Sequence, residues 1–124
     1  MRKVEVALGE KSYTIYIGNQ LGAELAAFLD QQGFSHRALL IADTNTGALY
    51  GKAVLAELQQ AGLTAELYEI PAGESSKSLA EAEKIFTRAI ELGLDRKSPI
   101  FALGGGVVGD LAGFIAATYM RGVP

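Results

Sequence analysis

Three apolar runs of strand length, each passing through a short polar loop into a segment with helical spacing, constrain this chain more than any other feature. "RALLIA" (37–42) runs into "DTNT", after which Tyr50, Val54, Leu58 and Ala61 mark one helix face closed by Gly62. "TAELYEI" (64–70) alternates and stops at Pro71. Ser78 with Glu81 then forms a capping box, opening a helix that bears Leu79, Ala82, Ile85, Phe86 and Ala89 and ends near Gly93. "PIFAL" (99–103) is the third strand, and the stretch from Val107 to Met120 is its helix. Parallel strands need crossover helices, so this alternation predicts an α/β fold with a parallel sheet, helices on both faces and ligands at the carboxyl ends of the strands. Ahead of it, "KVEVAL" and "YTIYIG" alternate around the turn "GEK" as a leading β-hairpin. A short helix is expected next, from Asn19 as N-cap through Leu21, Leu25, Phe28 and Leu29 to a stop at Gly33.

Composition narrows the function. With 124 residues and 49% hydrophobic content, the expected unit is one globular domain able to bury a core. The chain has no cysteine, so no disulfide framework or cysteine zinc site is available, and the expected compartment is the cytoplasm. No run approaches the roughly 18 apolar residues of a membrane span. A net charge of -3 with basic residues scattered singly offers no footprint for nucleic acid or an anionic membrane. Any anion must therefore be held locally.

Three loops should lie side by side at the carboxyl edge: 43–46, 71–78 and 104–110. In the third, Gly104, Gly106 and Gly109 satisfy G-x-G-x-x-G directly after a strand and at a helix start, where backbone N–H groups and the helix dipole receive a pyrophosphate. The same glycines also suit a tight turn with close packing. The motif follows a late strand, not the first, and the acid that the ordinary dinucleotide fingerprint has about 20 residues downstream would lie past residue 124. No Lys-Ser or Lys-Thr pair follows, which excludes a nucleoside-triphosphate P-loop. Asp43 suits a ribose diol and Asn45 offers donor and acceptor, while capping and turn formation explain both equally well. Glu74 and Lys77 suit a ribose and a phosphate, or simply a solvated loop; Asp110 suits the ligand or the helix start. His36, the only histidine, reads as a surface loop residue.

The string "ALGGGVVGDLAGFIAATYMRGV", with "PAGESSKS" upstream and "ADTN" earlier still, resembles the N-terminal, NAD-binding domain of the 3-dehydroquinate synthases, within the sugar-phosphate cyclases. The likeness covers most of the chain in order and spacing. It implies a Rossmann-like fold, with NAD held through Asp43 and Asn45, through Glu74 and Lys77, and through Gly105, Gly106, Val107, Gly109 and Asp110. It also implies that Arg121 reaches across a homodimer to the phosphate of a phosphorylated seven-carbon sugar acid. Arg121 lies about a dozen residues past the glycine turn, roughly 16 Å along a helix. Its other reading is a cap at the carboxyl end of that helix, before Gly122 as the stop.

The family's cycle, as the resemblance implies it, uses NAD catalytically and a divalent metal, zinc or cobalt, as a Lewis acid. The metal is held there by one glutamate and two histidines. Those ligands are not in this chain, so a metal-binding C-terminal domain is expected beyond residues 1–124, which hold no catalytic residue of their own. The apolar character of Val107–Met120 almost all round is the physical sign of a face awaiting cover. A glycerol-dehydrogenase-like oxidoreductase and a stand-alone nucleotide-binding module are the other readings.

Overall fold

The computed structural model describes residues 1–124, which divide into two compact units, Met1–Gln31 and Gln32–Pro124. In the first, β1 (Arg2–Val6) and β2 (Tyr13–Ile17) pair antiparallel with Val4 opposite Ile15. Their connection is one 3-10 turn, Gly9–Lys11, closed by the Ser12 hydroxyl, which donates to Gly9 O at 2.7 Å and accepts from Leu8 N at 2.8 Å. Helix α1 (Gly22–Asp30) follows, but Asn19 does not cap it. Gln20 has φ 54°, and this left-handed step moves the N-cap position to Leu21, which has no side-chain acceptor.

The second unit holds β3 (Arg37–Asp43), β4 (Thr64–Ile70) and β5 (Ile100–Leu103) in a parallel sheet of order β4-β3-β5. Central β3 is covered on both faces, with Ala38 to Ala42 at most 1% exposed. That is why it reads as an unbroken apolar run rather than an alternation. The α/β class and leading hairpin expected from the sequence are what the chain adopts.

Between β3 and β4, α2 (Thr44–Thr46), a π-helical turn (Gly47–Gly51) and α3 (Lys52–Gln60) follow without a break. The wider turn shifts the helical phase. Tyr50 therefore points away, at 56% exposed, and Gly47 and Gly51 take the buried places. A Cβ at Gly51 would stand 2.9 Å from Leu67 Cδ2, so this segment lies against β4 too closely for a side chain.

On the opposite face, α4 (Leu79–Glu91) and α5 (Gly106–Thr118) bury Ala82, Ile85, Ala89, Val108, Leu111, Ala112 and Ile115 over Leu39, Ile41 and Ile70. Leu79, the first residue of α4, is an exception at 76% exposed. Only half of the expected capping box forms: Glu81 N donates to Ser78 Oγ at 3.1 Å, but the Glu81 carboxylate is buried and instead accepts from the Tyr68 hydroxyl at 3.3 Å. Gly62 (φ 97°) and Gly93 (φ 70°) stop their helices as expected. Helix α5 is apolar beyond its buried side, and Phe114 remains 42% exposed.

Candidate functional site

The sheet order places a crevice at a defined point. From β3 the chain crosses to β4 on one side and then returns to β5 on the other, so the connections diverge between β3 and β5. In open α/β sheets the ligand lies at that switch point, outside the carboxyl ends. The register sets Asp43 beside Ile70 and Ala42 beside Leu103, so the loops after β3, β4 and β5 start level.

Asp43 ends β3 and caps α2. Its Oδ1 accepts from Asn45 N at 2.8 Å, Thr46 N at 2.7 Å and the Thr46 hydroxyl at 3.1 Å, while Asp43 N donates to Thr46 Oγ1 at 3.2 Å. This is a reciprocal capping box. The N–H of Thr46, then its hydroxyl and the N–H of Asn45, hold the carboxyl below the usual carboxylate range against a smaller opposing effect of burial. All the hydrogen bonds fall on Oδ1, so capping leaves Oδ2 free for a ligand.

The loop after β4 is built rather than loose. Gly73 has φ 112°, a conformation that side chains rarely adopt, and it turns the chain so that Ser76 is buried with its hydroxyl donating to Pro71 O. Lys77 N donates to Glu74 O at 3.0 Å. The Lys77 ammonium lies 2.8 Å from Asp110 and 3.6 Å from Glu74. The hydrogen bond to Asp110 first, then the charges of Asp110 and Glu74, raise the Lys77 pKa, so it is a cation throughout the physiological range.

The glycines divide by role. A Cβ at Gly104 would lie 2.7 Å from Val108 Cγ2, so this glycine lets α5 pack back on its own strand. At Gly105, Gly106 and Gly109 a Cβ would meet nothing within 4 Å, and none of the three has positive φ. These positions present open backbone. Gly105 occupies the N-cap without a side-chain acceptor, and the first intrahelical bond runs from Gly109 N to Gly105 O at 3.0 Å. The N–H groups of Gly106, Val107 and Val108 are therefore available to an anion.

Cross-loop bonds join all three loops in pairs. The Thr46 hydroxyl donates to Leu103 O at 2.8 Å, Ala72 N donates to Thr44 Oγ1 at 3.3 Å, and Lys77 meets Asp110. Thr44, Thr46 and Ser76 were missed in the sequence. Only Thr46 carried a signal, standing three residues after an N-cap aspartate, where a box partner belongs.

Every residue singled out around the glycine motif thus gathers at this edge; Arg121 does not. Helix α5 stops at Thr118, and Met120 (φ 49°) and Arg121 (φ 67°) form a left-handed turn beyond it. Gly122 N donates to Tyr119 O and Val123 N to Ala116 O, closing that end with backbone groups. Arg121 is therefore neither on the helix nor its cap, and its exposed guanidinium makes no hydrogen bond or ion pair.

The family model described as "3-dehydroquinate synthase N-terminal" matches residues 67–124. The 3-dehydroquinate synthase of Symbiobacterium thermophilum is 51% identical over 118 residues, 94% of this chain and 33% of that protein. That of Desulforamulus reducens is 46% identical over 124 residues, 100% of this chain and 34% of that protein. The chain thus spans about a third of the length of these relatives. Among solved structures, a 2-deoxy-scyllo-inosose synthase complexed with carbaglucose-6-phosphate, NAD+ and Co2+ superposes with TM-score 0.85 at 20% identity, over 98% of this chain and 33% of that one. A 2-epi-5-epi-valiolone synthase from Streptomyces hygroscopicus with NAD+ and Zn2+ bound gives 0.75 at 31% identity, over 96% and 32%.

Proposed function

Because this chain belongs to the 3-dehydroquinate synthase family, matching its N-terminal part, we propose that it is the NAD-binding portion of a longer enzyme of that activity. The observation that carries the reading is the cross-bonding of three loops around open glycine backbone at the switch point. The residues fit the cofactor. The free N–H groups of Gly106 and Val107 would hold the pyrophosphate, with Gly105 and Gly109 leaving room for its approach. Asp43 Oδ2 and Asn45 would take ribose hydroxyls, the carboxylate disfavouring a 2′-phosphate. Glu74, Lys77 and Asp110 would hold the remaining polar groups, with the ammonium opposite the dinucleotide's negative charge. NAD, when bound, supplies a hydride acceptor that later returns the hydride. This chain's part is to bind and orient.

The whole enzyme, in this reading, is a cytoplasmic homodimeric lyase that cyclises a phosphorylated seven-carbon sugar acid to 3-dehydroquinate with release of phosphate. Arg121, free and exposed, would bind the substrate phosphate through two parallel hydrogen bonds. The residues present do not fit the metal: the only histidine is His36, exposed before β3, and no cluster of metal-binding side chains forms. The zinc or cobalt site would belong to the C-terminal remainder of the longer protein, which would also cover the open side of α5. The test is to titrate the chain with NAD and NADP calorimetrically and to supply the full-length gene product with the sugar-acid phosphate. Tighter binding of NAD and phosphate release without net NADH are expected. Absence of NAD binding, or stoichiometric NADH from a simple polyol, would overturn the reading.

A further inference from the structure

We propose that Tyr119 is a positioning residue for the substrate phosphate: its hydroxyl ties the end of α5 to the segment after α4 and so holds the backbone turn that presents Arg121. Its role depends on the reading of Arg121 given above, through which it acts.

The turn is one that a chain does not adopt unaided. Met120 (φ 49°, ψ 31°) and Arg121 (φ 67°) stand in succession in the left-handed region, followed by Gly122 at φ 120°. Residues other than glycine visit that region singly, and a strained backbone persists only where its surroundings over-determine it. Such strain gathers where side chains must be held for function. Neither side chain in the turn supplies the constraint. Met120 is 45% exposed, and the exposed Arg121 guanidinium is bonded to nothing.

The constraint comes from either side. After the turn, Gly122 N donates to Tyr119 O at 2.8 Å, Val123 N to Ala116 O at 2.7 Å, and Ile100 N, at the start of β5, to Pro124 O at 2.8 Å. Before it, Tyr119 leaves the helix with extended backbone (φ -60°, ψ 125°) and is buried, its hydroxyl donating to Leu94 O at 2.9 Å. Burial first, and then the charge of Asp95, push this phenol above its ordinary range, so it remains a donor at neutral pH. The acceptor is itself fixed. Leu94 is buried and its N donates to Ala89 O at 3.1 Å, while Asp95 accepts from Lys97 N at 2.8 Å and from the Ser35 hydroxyl at 2.9 Å. Asp95 N donates to the fully buried Ser98 hydroxyl at 2.9 Å. Phenylalanine would bury the same ring, so what tyrosine adds at this position is the link to Leu94. A guanidinium on a fixed turn loses less freedom on closing over a phosphate than one on a loose turn.

The test compares Tyr119→Phe, Arg121→Ala and the double variant in the full-length gene product, assayed well below the lowest of their melting temperatures. Tyr119→Phe should raise KM for the phosphorylated substrate about three- to tenfold, with kcat and NAD affinity nearly unchanged. Arg121→Ala should raise KM further, and Tyr119→Phe added to it should raise KM no more, because the tyrosine acts only through the arginine. A merely structural tyrosine would lower the melting temperature and leave KM alone, or add its full effect to that of Arg121→Ala; either result overturns the proposal, as does a loss of NAD affinity in Tyr119→Phe. If Arg121→Ala itself leaves KM unchanged, the reading of Arg121 falls together with the role of Tyr119. If only Tyr119→Phe is silent, the positioning role falls and the arginine's stands.

Discussion

The Lys77 ammonium lies 2.8 Å from the Asp110 carboxylate, tying the loop after β4 to the first turn of α5. The pair is solvent-exposed, so it positions side chains more than it stabilises the fold. Lys77→Met should weaken NAD binding while moving the melting temperature little at neutral pH. The folded pKa of Lys77 is raised, so its contribution to stability is complete below the unfolded value and is lost as pH rises through the folded one. Above about pH 10.4 the wild-type melting temperature should therefore fall more steeply than that of Lys77→Met. Parallel curves in thermal melts across that window would show the pair to be uncoupled from folding.

Asp43 both caps α2 and is the proposed ribose ligand, and one substitution separates the roles. Asparagine keeps an N-cap acceptor but no charge. Asp43→Asn should narrow the preference for NAD over NADP and lower the melting temperature modestly at neutral pH, measured by titration and calorimetry. The folded pKa of Asp43 is lowered, so its stabilisation is present above the unfolded value and is lost as pH falls through the folded one. Below about pH 3.9 wild type should lose stability that Asp43→Asn has already forgone.

Thr46 joins two loops through one hydroxyl, which donates to Leu103 O and accepts from Asp43 N. Thr46→Val keeps the shape and removes those bonds, and should cost about 1 to 2 kcal/mol by denaturant titration. NAD affinity should fall with it, because the loops after β3 and β5 lose their direct link. Unchanged affinity would place the ligand elsewhere.

Neighbouring glycines should respond oppositely. Gly106→Val meets open space, so the protein should fold normally and fail to bind NAD, the side chain occupying the place of the pyrophosphate. Gly104→Ala brings a methyl into Val108, and should destabilise by about 1 to 3 kcal/mol by overpacking α5 against β5. Equal effects of both on stability and binding would contradict this division.

Arg121 holds φ 67° without a glycine's freedom and without any bond from its guanidinium. A non-glycine residue in this region carries strain of about 1 kcal/mol or more. Arg121→Gly should therefore melt no lower than wild type. In the full-length enzyme it should raise KM for the phosphorylated substrate, leaving NAD affinity unchanged. Early melting with normal turnover would assign the arginine to structure.

The sequence by itself determined the elements and their order, because periodicity and stop signals act over neighbouring residues. The apolar run of β3, the alternation of β4, and Gly62 and Gly93 after their helices were readable for that reason. The alternation also determined that the loops after β3, β4 and β5 would share one edge, since parallel strands leave their carboxyl ends level. Tertiary structure alone decided what each loop residue touches. Lys77 could have faced solvent until the sheet brought α5 alongside, and Thr46 reaches Leu103 only because β5 adds next to β3. The π-helical turn put Gly47 and Gly51 where a regular helix would bury Tyr50, and Glu81 turned from the helix end toward Tyr68. Gly104 and Gly106 belong to the same motif, yet one is filled by Val108 and the other stands open. Their difference lies in which neighbours the fold places beside each backbone, with Val108 buried against the core next to Gly104 and nothing next to Gly106.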